Sequence, residues 1–344
     1  MSYLPDKEFS RLPDRFMAMY GKRKIKRRGR EINRRENCKM KVSQAIELYN
    51  NFGFDVAFSS VCASRFKSAS DYRNRNILNY LKEEYKDFIS EYQRKDYDAN
   101  AGNKNSKTVW TLWLQGDSPE VQPDVVRMCL KNMEKNCGSH PLKILTADNY
   151  LEYADIPGYI IDKVKSGQIS YTHLSDLIRV CLLLHHGGMW LDATIFTTKK
   201  IPEGIFDRNY FTVRHAEKNV RNVSKERWTG FLQASESNNI LSDFVYHFFL
   251  EYWKKQKILV HYLLIDYVYA LAYNEIPACR KILDSVPLSN PELYSLDDLM
   301  SSRFDEALYK KLTAETMFFK LTWKKTYKES AFGGETFYGH LLHS

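Results

Sequence analysis

The chain lacks any apolar run approaching the roughly 18 residues of a membrane-spanning helix, so no spanning segment is expected. Its opening residues, MSYLPDKEFSRLPDRF, lack the apolar stretch of a secretory signal, and a cytoplasmic location follows as the expectation. Cysteine is sparse and unclustered. Cys38, Cys62, Cys129, Cys137, Cys181 and Cys279 form no C-x-x-C pair, which predicts reduced, mostly buried thiols rather than a disulfide framework or a zinc site. Also missing are G-x-G-x-x-G after a strand, G-x-x-x-x-G-K-[ST], H-E-x-x-H and G-x-S-x-G. Dinucleotide dehydrogenases, P-loop ATPases, zincins and α/β-hydrolases thereby lose support. There is no internal repeat.

What is present suits a well-packed enzyme-sized fold. The 344 residues are 44% hydrophobic and 14% aromatic, enough for one large domain with an appendage or two modest ones. The net charge of +9 is concentrated near the start: residues 21–37, GKRKIKRRGREINRREN, hold nine Lys or Arg against two Glu. Such an arm reads as a solvated tail, as a patch for anionic lipid at about 1 kcal/mol per nearby basic residue, or as a nucleic-acid contact. Nucleic acid is disfavoured, because the arm has no aromatic side chain to stack on bases and its charge is not continued over the rest of the chain. Residues 22–35 are accordingly expected at an anionic membrane surface.

Periodicity divides the chain. Ile77, Leu78, Leu81, Tyr85, Phe88, Ile89 and Tyr92 fall on one face of a helix over 72–93, and residues 40–66 contribute another helix or two with a break at Gly53. The polar stretch 96–107 reads as a linker, giving a basic arm and helical region over 1–107 and a second domain over 108–344. Beyond the linker, strands are predicted at 109–114, 142–146 and 210–213, and helices at 125–134 and 242–254. This alternation indicates an α/β domain.

The most informative stretch is 174–196, LSDLIRVCLLLHHGGMWLDATIF. Leu174, Leu177, Ile178, Cys181 and Leu182 mark a helix, Gly187-Gly188 ends it with a left-handed cap, and Met189 to Leu191 form a short buried strand. Asp176 and Arg179 are neighbours three apart, roughly opposite the apolar face; their ordinary reading is a solvated pair worth about 0.3 kcal/mol. Asp192 follows the strand at once, where a carboxylate needs solvent or a partner. On an extended segment, Asp192 and Thr194 would point to one side of a crevice at the strand's carboxyl end, the place where open α/β sheets bind ligands.

S-D-x-x-R at 175–179 followed by G-G-x-W-x-D-x-T at 187–194 resembles the capsular polysaccharide synthesis proteins, relatives of the DXD sugar-transferring glycosyltransferases. W-T-x-W-x-Q-G at 110–116, W-T-G-F at 228–231 and I-D-Y at 265–267 extend the resemblance from about Thr108 onward. It implies a GT-A-like fold: a mainly parallel nucleotide-binding sheet flanked by helices. It also implies a hexosyltransferase acting from a nucleotide-diphosphate sugar on a lipid-linked or capsular glycan, with retention, at the inner face of the cell membrane. Asp176, Arg179 and Asp192 would hold the donor and Trp113 would stack on its base, with Gln115 and Thr194 beside them. Thr194 stands where wider relatives have a second carboxylate for Mn²⁺ or Mg²⁺. A hydroxyl is a poorer ligand for a hard cation, which leaves Asp192 as the one acidic ligand and puts metal dependence in question.

Asp266 lies in the apolar stretch YLLIDYVYALAY, where a carboxylate is costly unless hydrogen-bonded or facing a polar space. It is a candidate for catalytic or acceptor-binding duty, with Trp228 a further acceptor contact; a structural hydrogen bond to a tyrosine hydroxyl is the ordinary alternative. His185 and His186, in the last helical turn, read as structural. Lys324 and His340, in KLTWKK and TFYGHLL, are candidates for the donor diphosphate against the plainer reading of a surface tail. Two other functions remain open: a glycoside hydrolase with two carboxylates facing one sugar, and a non-catalytic protein binding anionic lipid or nucleic acid through the arm.

Overall fold

The computed structural model describes residues 40–95, 106–217, 221–331 and 333–343. The basic arm, Cys38 and most of the 96–107 linker fall outside these residues. Three helices come first: α1 (Val42–Arg65), α2 (Ser70–Glu84) and α3 (Lys86–Arg94). Gly53 kinks α1 as expected, at φ +83°. The single helix predicted over 72–93 is instead two, parted at Tyr85, where the backbone turns to φ −116°, ψ 23°. That departure lays the Tyr85 ring 4.7 Å from Phe248, centroid to centroid, and stacks it near Tyr252. Aromatic burial compensates the local loss of helix geometry.

Strands and helices then alternate. In chain order they are β1 (Val109–Leu112), α4 (Asp124–Asn136), β2 (Leu142–Leu145), α5 (Gly158–Lys165), α6 (Tyr171–His185), β3 (Gly188–Leu191), β4 (Ile195–Thr197), α7 (Glu203–Phe206), β5 (Tyr210–Thr212) and β6 (Leu232–Ser235). After them come α8 (Ile240–Lys255), α9 (Leu264–Glu275), α10 (Pro277–Asp284), α11 (Ser295–Leu299), α12 (Glu306–Glu315), β7 (Phe318–Lys320), β8 (Ser330–Ala331), β9 (Gly334–Glu335) and α13 (Phe337–Leu342).

The main sheet runs β2-β1-β3-β6-β5. β1 pairs parallel with β2 and β3, while β6 runs antiparallel to both β3 and β5. Four of the five strands therefore point the same way, and the mixed α/β architecture with a mainly parallel sheet is as expected. Side-chain alternation separates two cores: Trp110 and Trp190 face one, Val109, Met189 and Leu191 the other. The first core also holds Ile77, Leu81 and Ile89 of the N-terminal helices against Phe244, Phe248 and Val268 of α8 and α9. Those helices thus bury their apolar faces on the helical layer of the sheet. Tyr267 adds a buried hydrogen bond from its hydroxyl to Asn74 Oδ1 at 2.6 Å.

Two features aim the carboxyl end of β3. The first is the diglycine, with Gly187 at φ +69° and Gly188 at φ +95°. A Cβ on Gly188 would stand 2.3 Å from the Thr108 carbonyl oxygen, so glycine is what lets α6 feed β3 flush against β1. The second is a two-stranded ribbon, β4 with β7, in which Ile195 lies opposite Lys320 and Phe196 opposite Phe319. Gly188→Ala should lower stability by about 2 kcal/mol or more, through the left-handed backbone and the clash together. Urea unfolding measures it; an unchanged midpoint would contradict this account of the β3 approach.

Candidate functional site

Asp192 ends β3. Its backbone N–H donates to the Phe231 carbonyl at 2.9 Å, the last rung beside β6, and Ile195 N–H donates back to the Asp192 carbonyl at 2.9 Å. Asp192 to Thr194 is therefore a turn, not the extended segment predicted, because the chain must leave the main sheet for β4 to pair with β7. The two side chains still converge, on a cation supplied from elsewhere: Lys320 Nζ donates to Asp192 Oδ2 at 2.7 Å and to Thr194 Oγ1 at 3.0 Å.

The other Asp192 oxygen is held from α6. Arg179 donates through Nη2 to Asp192 Oδ1 at 3.1 Å and through Nη1 to Asp176 Oδ1 at 2.9 Å. Trp190 Nε1 also donates to Asp192 Oδ1, at 3.0 Å, and its ring lies 5.1 Å beneath the guanidinium carbon. The pair is not the solvated one of its ordinary reading, and burial also keeps it from the direct donor contact expected of both residues: the two are only 8% and 4% exposed. The 228–231 loop closes over them, so that a Cβ on Gly230 would stand 3.5 Å from Arg179 Nη1 and 3.7 Å from Ile265. Asp192 is partly exposed, with 27% of its side chain accessible to solvent.

This arrangement separates the acids. Burial pushes the Asp192 carboxyl up, but Lys320 and Arg179 outweigh it and hold its pKa below the ordinary value. At Asp176 burial prevails over the nearby Arg179 and His173, and the pKa rises. Burial opposes the Arg179 charge, yet Asp192 and Asp176 together raise its pKa further. Asp266, in the first turn of α9, accepts from Trp228 Nε1 at 3.1 Å, so its partner is an indole rather than a tyrosine hydroxyl. Burial pushes Asp266 up to about 6, against that hydrogen bond. The site thus pairs an ionised acid with one that titrates near neutrality.

The remaining predicted residues divide. Trp113 stands just beyond β1, partly exposed, with the Trp323 ring edge-on at 5.6 Å; Gln115 follows it, also partly exposed. From KLTWKK, Lys320 rather than Lys324 reaches Asp192, while Lys324 is exposed. His340 stacks on Phe304 with ring centroids 3.7 Å apart and meets Glu335 at 3.2 Å. The two histidines that end α6 are both exposed: His186 hydrogen-bonds the Tyr153 carbonyl at 2.8 Å, and His185 lies edge-on to Tyr246. The five described cysteines are free, and all but Cys62 are buried.

Lys320, Trp190 and Phe231, whose ring lies 4.7 Å from the Lys320 ammonium, join the site although none is among the residues expected there. Trp190 was within reach, two residues before Asp192 in the same motif. Lys320 was not: its pairing with Asp192 spans 128 residues. As for a metal, no group of three His, Cys, Asp or Glu among the described residues is placed to hold one. Asp192, the acid expected to bind it, already accepts protein donors on both oxygens.

A family model for capsular polysaccharide synthesis proteins matches residues 61–341. The chain belongs to that family. The match takes in α2 and α3, which share a core with the helical layer of the sheet, as well as every site residue named above. No curated protein matches the chain. Among solved structures, one titled "PaToxG Glycosyltransferase" is similar at 13% identity and TM-score 0.37, covering 70% of this chain and 94% of its own. So loose a superposition carries no argument about chemistry. Among the described residues of this capsular polysaccharide synthesis protein, no helix is long and apolar enough to cross a membrane.

The raised Asp266 pKa has a definite sign. Its contribution to stability is complete below the unfolded pKa near 3.9 and is lost as pH rises through about 6. Asp266→Asn keeps an oxygen for Trp228 but cannot ionise. Between pH 4 and pH 7 the wild type should therefore lose on the order of 2 kcal/mol relative to that variant. Paired denaturant titrations at the two pH values test this; a pH-independent difference would refute it.

Proposed function

We propose that this protein is a glycosyltransferase that moves a hexose from a nucleotide-diphosphate sugar to a surface-polysaccharide acceptor carried on lipid. Family membership supports the pathway, and the geometry of one carboxylate supports the chemistry. Asp192, at the carboxyl end of a mainly parallel sheet, is held ionised by Arg179 and Lys320 and stays solvent-reachable. A fixed carboxylate there is suited to accept from the hydroxyls of ribose or the donor sugar. Asp176 acts behind it by seating Arg179, and Thr194 by seating Lys320. Trp113, at the end of β1, offers its partly exposed ring to the base.

On the acceptor side we place Asp266, with Trp228 behind it, since that ring is only 2% exposed and cannot itself be the acceptor contact expected of it. Their hydrogen bond orients the carboxyl, and a pKa near 6 lets it act as donor or acceptor toward a hydroxyl near neutrality. In a retaining transfer the departing diphosphate itself can take the acceptor proton. Catalysis then depends on orientation and on stabilising the charge of the leaving group. A hydrolase would also need two carboxyls facing one sugar, for which Asp192 and Asp266 are the candidates. Dependence on the activated donor distinguishes the two reactions.

The same reading places the enzyme on the inner face of the cell membrane. Just after the basic arm, α1 exposes Val42, Ile46, Tyr49, Phe54 and Phe58, the last two stacked at 5.4 Å. Basic charge followed by apolar side chains is the composition that binds an anionic bilayer surface.

Asp192→Asn should reduce transfer from the activated sugar at least about 100-fold, as expected when a charged positioning contact is lost. Steady-state kinetics with the folded variant measures this, and normal transfer with normal donor affinity would exclude the assigned role. Replacing the Lys and Arg of residues 22–35 by Gln should weaken sedimentation with phosphatidylserine-containing vesicles at least about tenfold at low salt. Unchanged sedimentation would exclude the arm as the membrane contact.

A further inference from the structure

We propose that the Lys320 ammonium is the built-in counter-cation for the donor diphosphate, so that donor binding and transfer in this protein require no divalent metal. The inference rests on the glycosyltransferase reading and makes it more specific. In Asp192-Ala193-Thr194, Lys320 Nζ lies between the acid and the hydroxyl, 2.7 Å from one and 3.0 Å from the other. A divalent ion ligated by that pair would have to displace the ammonium, and it would then face Arg179, which donates to the opposite oxygen of the same carboxylate. Mg²⁺ and Mn²⁺ favour oxygen-rich sites containing carboxylates. Here Asp192 is already engaged by two cations, Asp176 is engaged by Arg179, and the remaining position is a threonine.

Lys320 is suited to the role. An ammonium has three N–H donors; two serve Asp192 and Thr194, and the side chain is 22% exposed, so a phosphate oxygen can approach the third. Its position is fixed by the β4–β7 register, which sets Lys320 opposite Ile195, and by Leu321 N–H donating to the Thr194 carbonyl at 3.0 Å. The Phe231 ring, 4.7 Å away, adds a face that favours a cation. During transfer the bond from the sugar C1 to the β-phosphate oxygen breaks and its electron pair stays on the diphosphate. A bond forms from C1 to the acceptor oxygen, whose proton passes to the diphosphate. Lys320 takes no part in that proton transfer and stabilises the charge left on the leaving group.

The test is calorimetric binding of UDP, GDP, ADP, CDP and their hexose conjugates to the full chain, in excess EDTA and in excess Mn²⁺, for the wild type, Lys320→Met and Lys320→Arg. At least one nucleotide should bind equally well, within about twofold, in EDTA and in Mn²⁺. Lys320→Met should weaken that binding at least about tenfold and Lys320→Arg should recover most of it, since the lost contact is a charge-assisted hydrogen bond. Circular dichroism of each variant separates a lost contact from a lost fold; if Met misfolds, the Arg variant and the EDTA comparison still decide the matter. Binding that appears only with Mn²⁺ overturns the metal-free assignment while leaving the glycosyltransferase reading intact. Binding indifferent to Lys320→Met in a folded protein overturns the role of the lysine. Absence of binding by every nucleotide and its hexose conjugates, with and without Mn²⁺, refutes the glycosyltransferase reading itself.

Discussion

A buried guanidinium bridging two carboxylates organises this molecule. Arg179 is almost wholly enclosed, and its charge is balanced by Asp176 on its own helix and Asp192 at the end of a strand. Removing one member of such a network typically costs about 3–5 kcal/mol, because the charge left behind has neither partner nor water. Satisfaction is not complete: Arg179 Nε is buried without a hydrogen-bond partner among the described residues. A well-packed apolar core would serve stability at least as well. The network instead secures an ionised, oriented Asp192 that remains solvent-reachable.

The fold brings that carboxylate together with residues from four separate segments. β3 delivers Asp192, α6 delivers Asp176 and Arg179, β7 delivers Lys320, and the 228–231 loop with α9 delivers Trp228 and Asp266. The main sheet supplies the rigid end against which the others are set, since β1, β3 and β6 are buried throughout. The β4–β7 ribbon is a small departure from that sheet with a large effect, because its register decides which lysine meets the acid.

Behind the site, an aromatic layer joins the N-terminal helices to the sheet. Phe88 contacts both Phe244 and Phe248, Tyr92 meets Phe244 edge-on, and Tyr85 reaches Phe248 and Tyr252. Such pairs add roughly 0.5–1.5 kcal/mol each beyond the area they bury. They also tie α2 and α3 to α8, which in turn packs on the helix carrying Arg179. The exposed apolar side chains of α1 lie outside this layer, so the face proposed for the membrane is distinct from the face that holds the core.

Local pattern was enough for much of this. The 3.6-residue period of 174–182, the diglycine and the short apolar strand located Asp176, Arg179 and Asp192 correctly in their elements, because helix, cap and strand are set by neighbours within a few residues. Local pattern could not decide burial or pairing. Asp176 and Arg179 look like a solvated pair until the 228–231 loop covers them, and Asp192 to Thr194 looks extended until β4 turns away to find β7. Nor does any spacing distinguish Lys320 from Lys324, since both are lysines in one basic run. A contact across 128 residues depends on the register of a strand pair, and that register is settled by packing on both sides of the ribbon rather than by the residues next to the lysine.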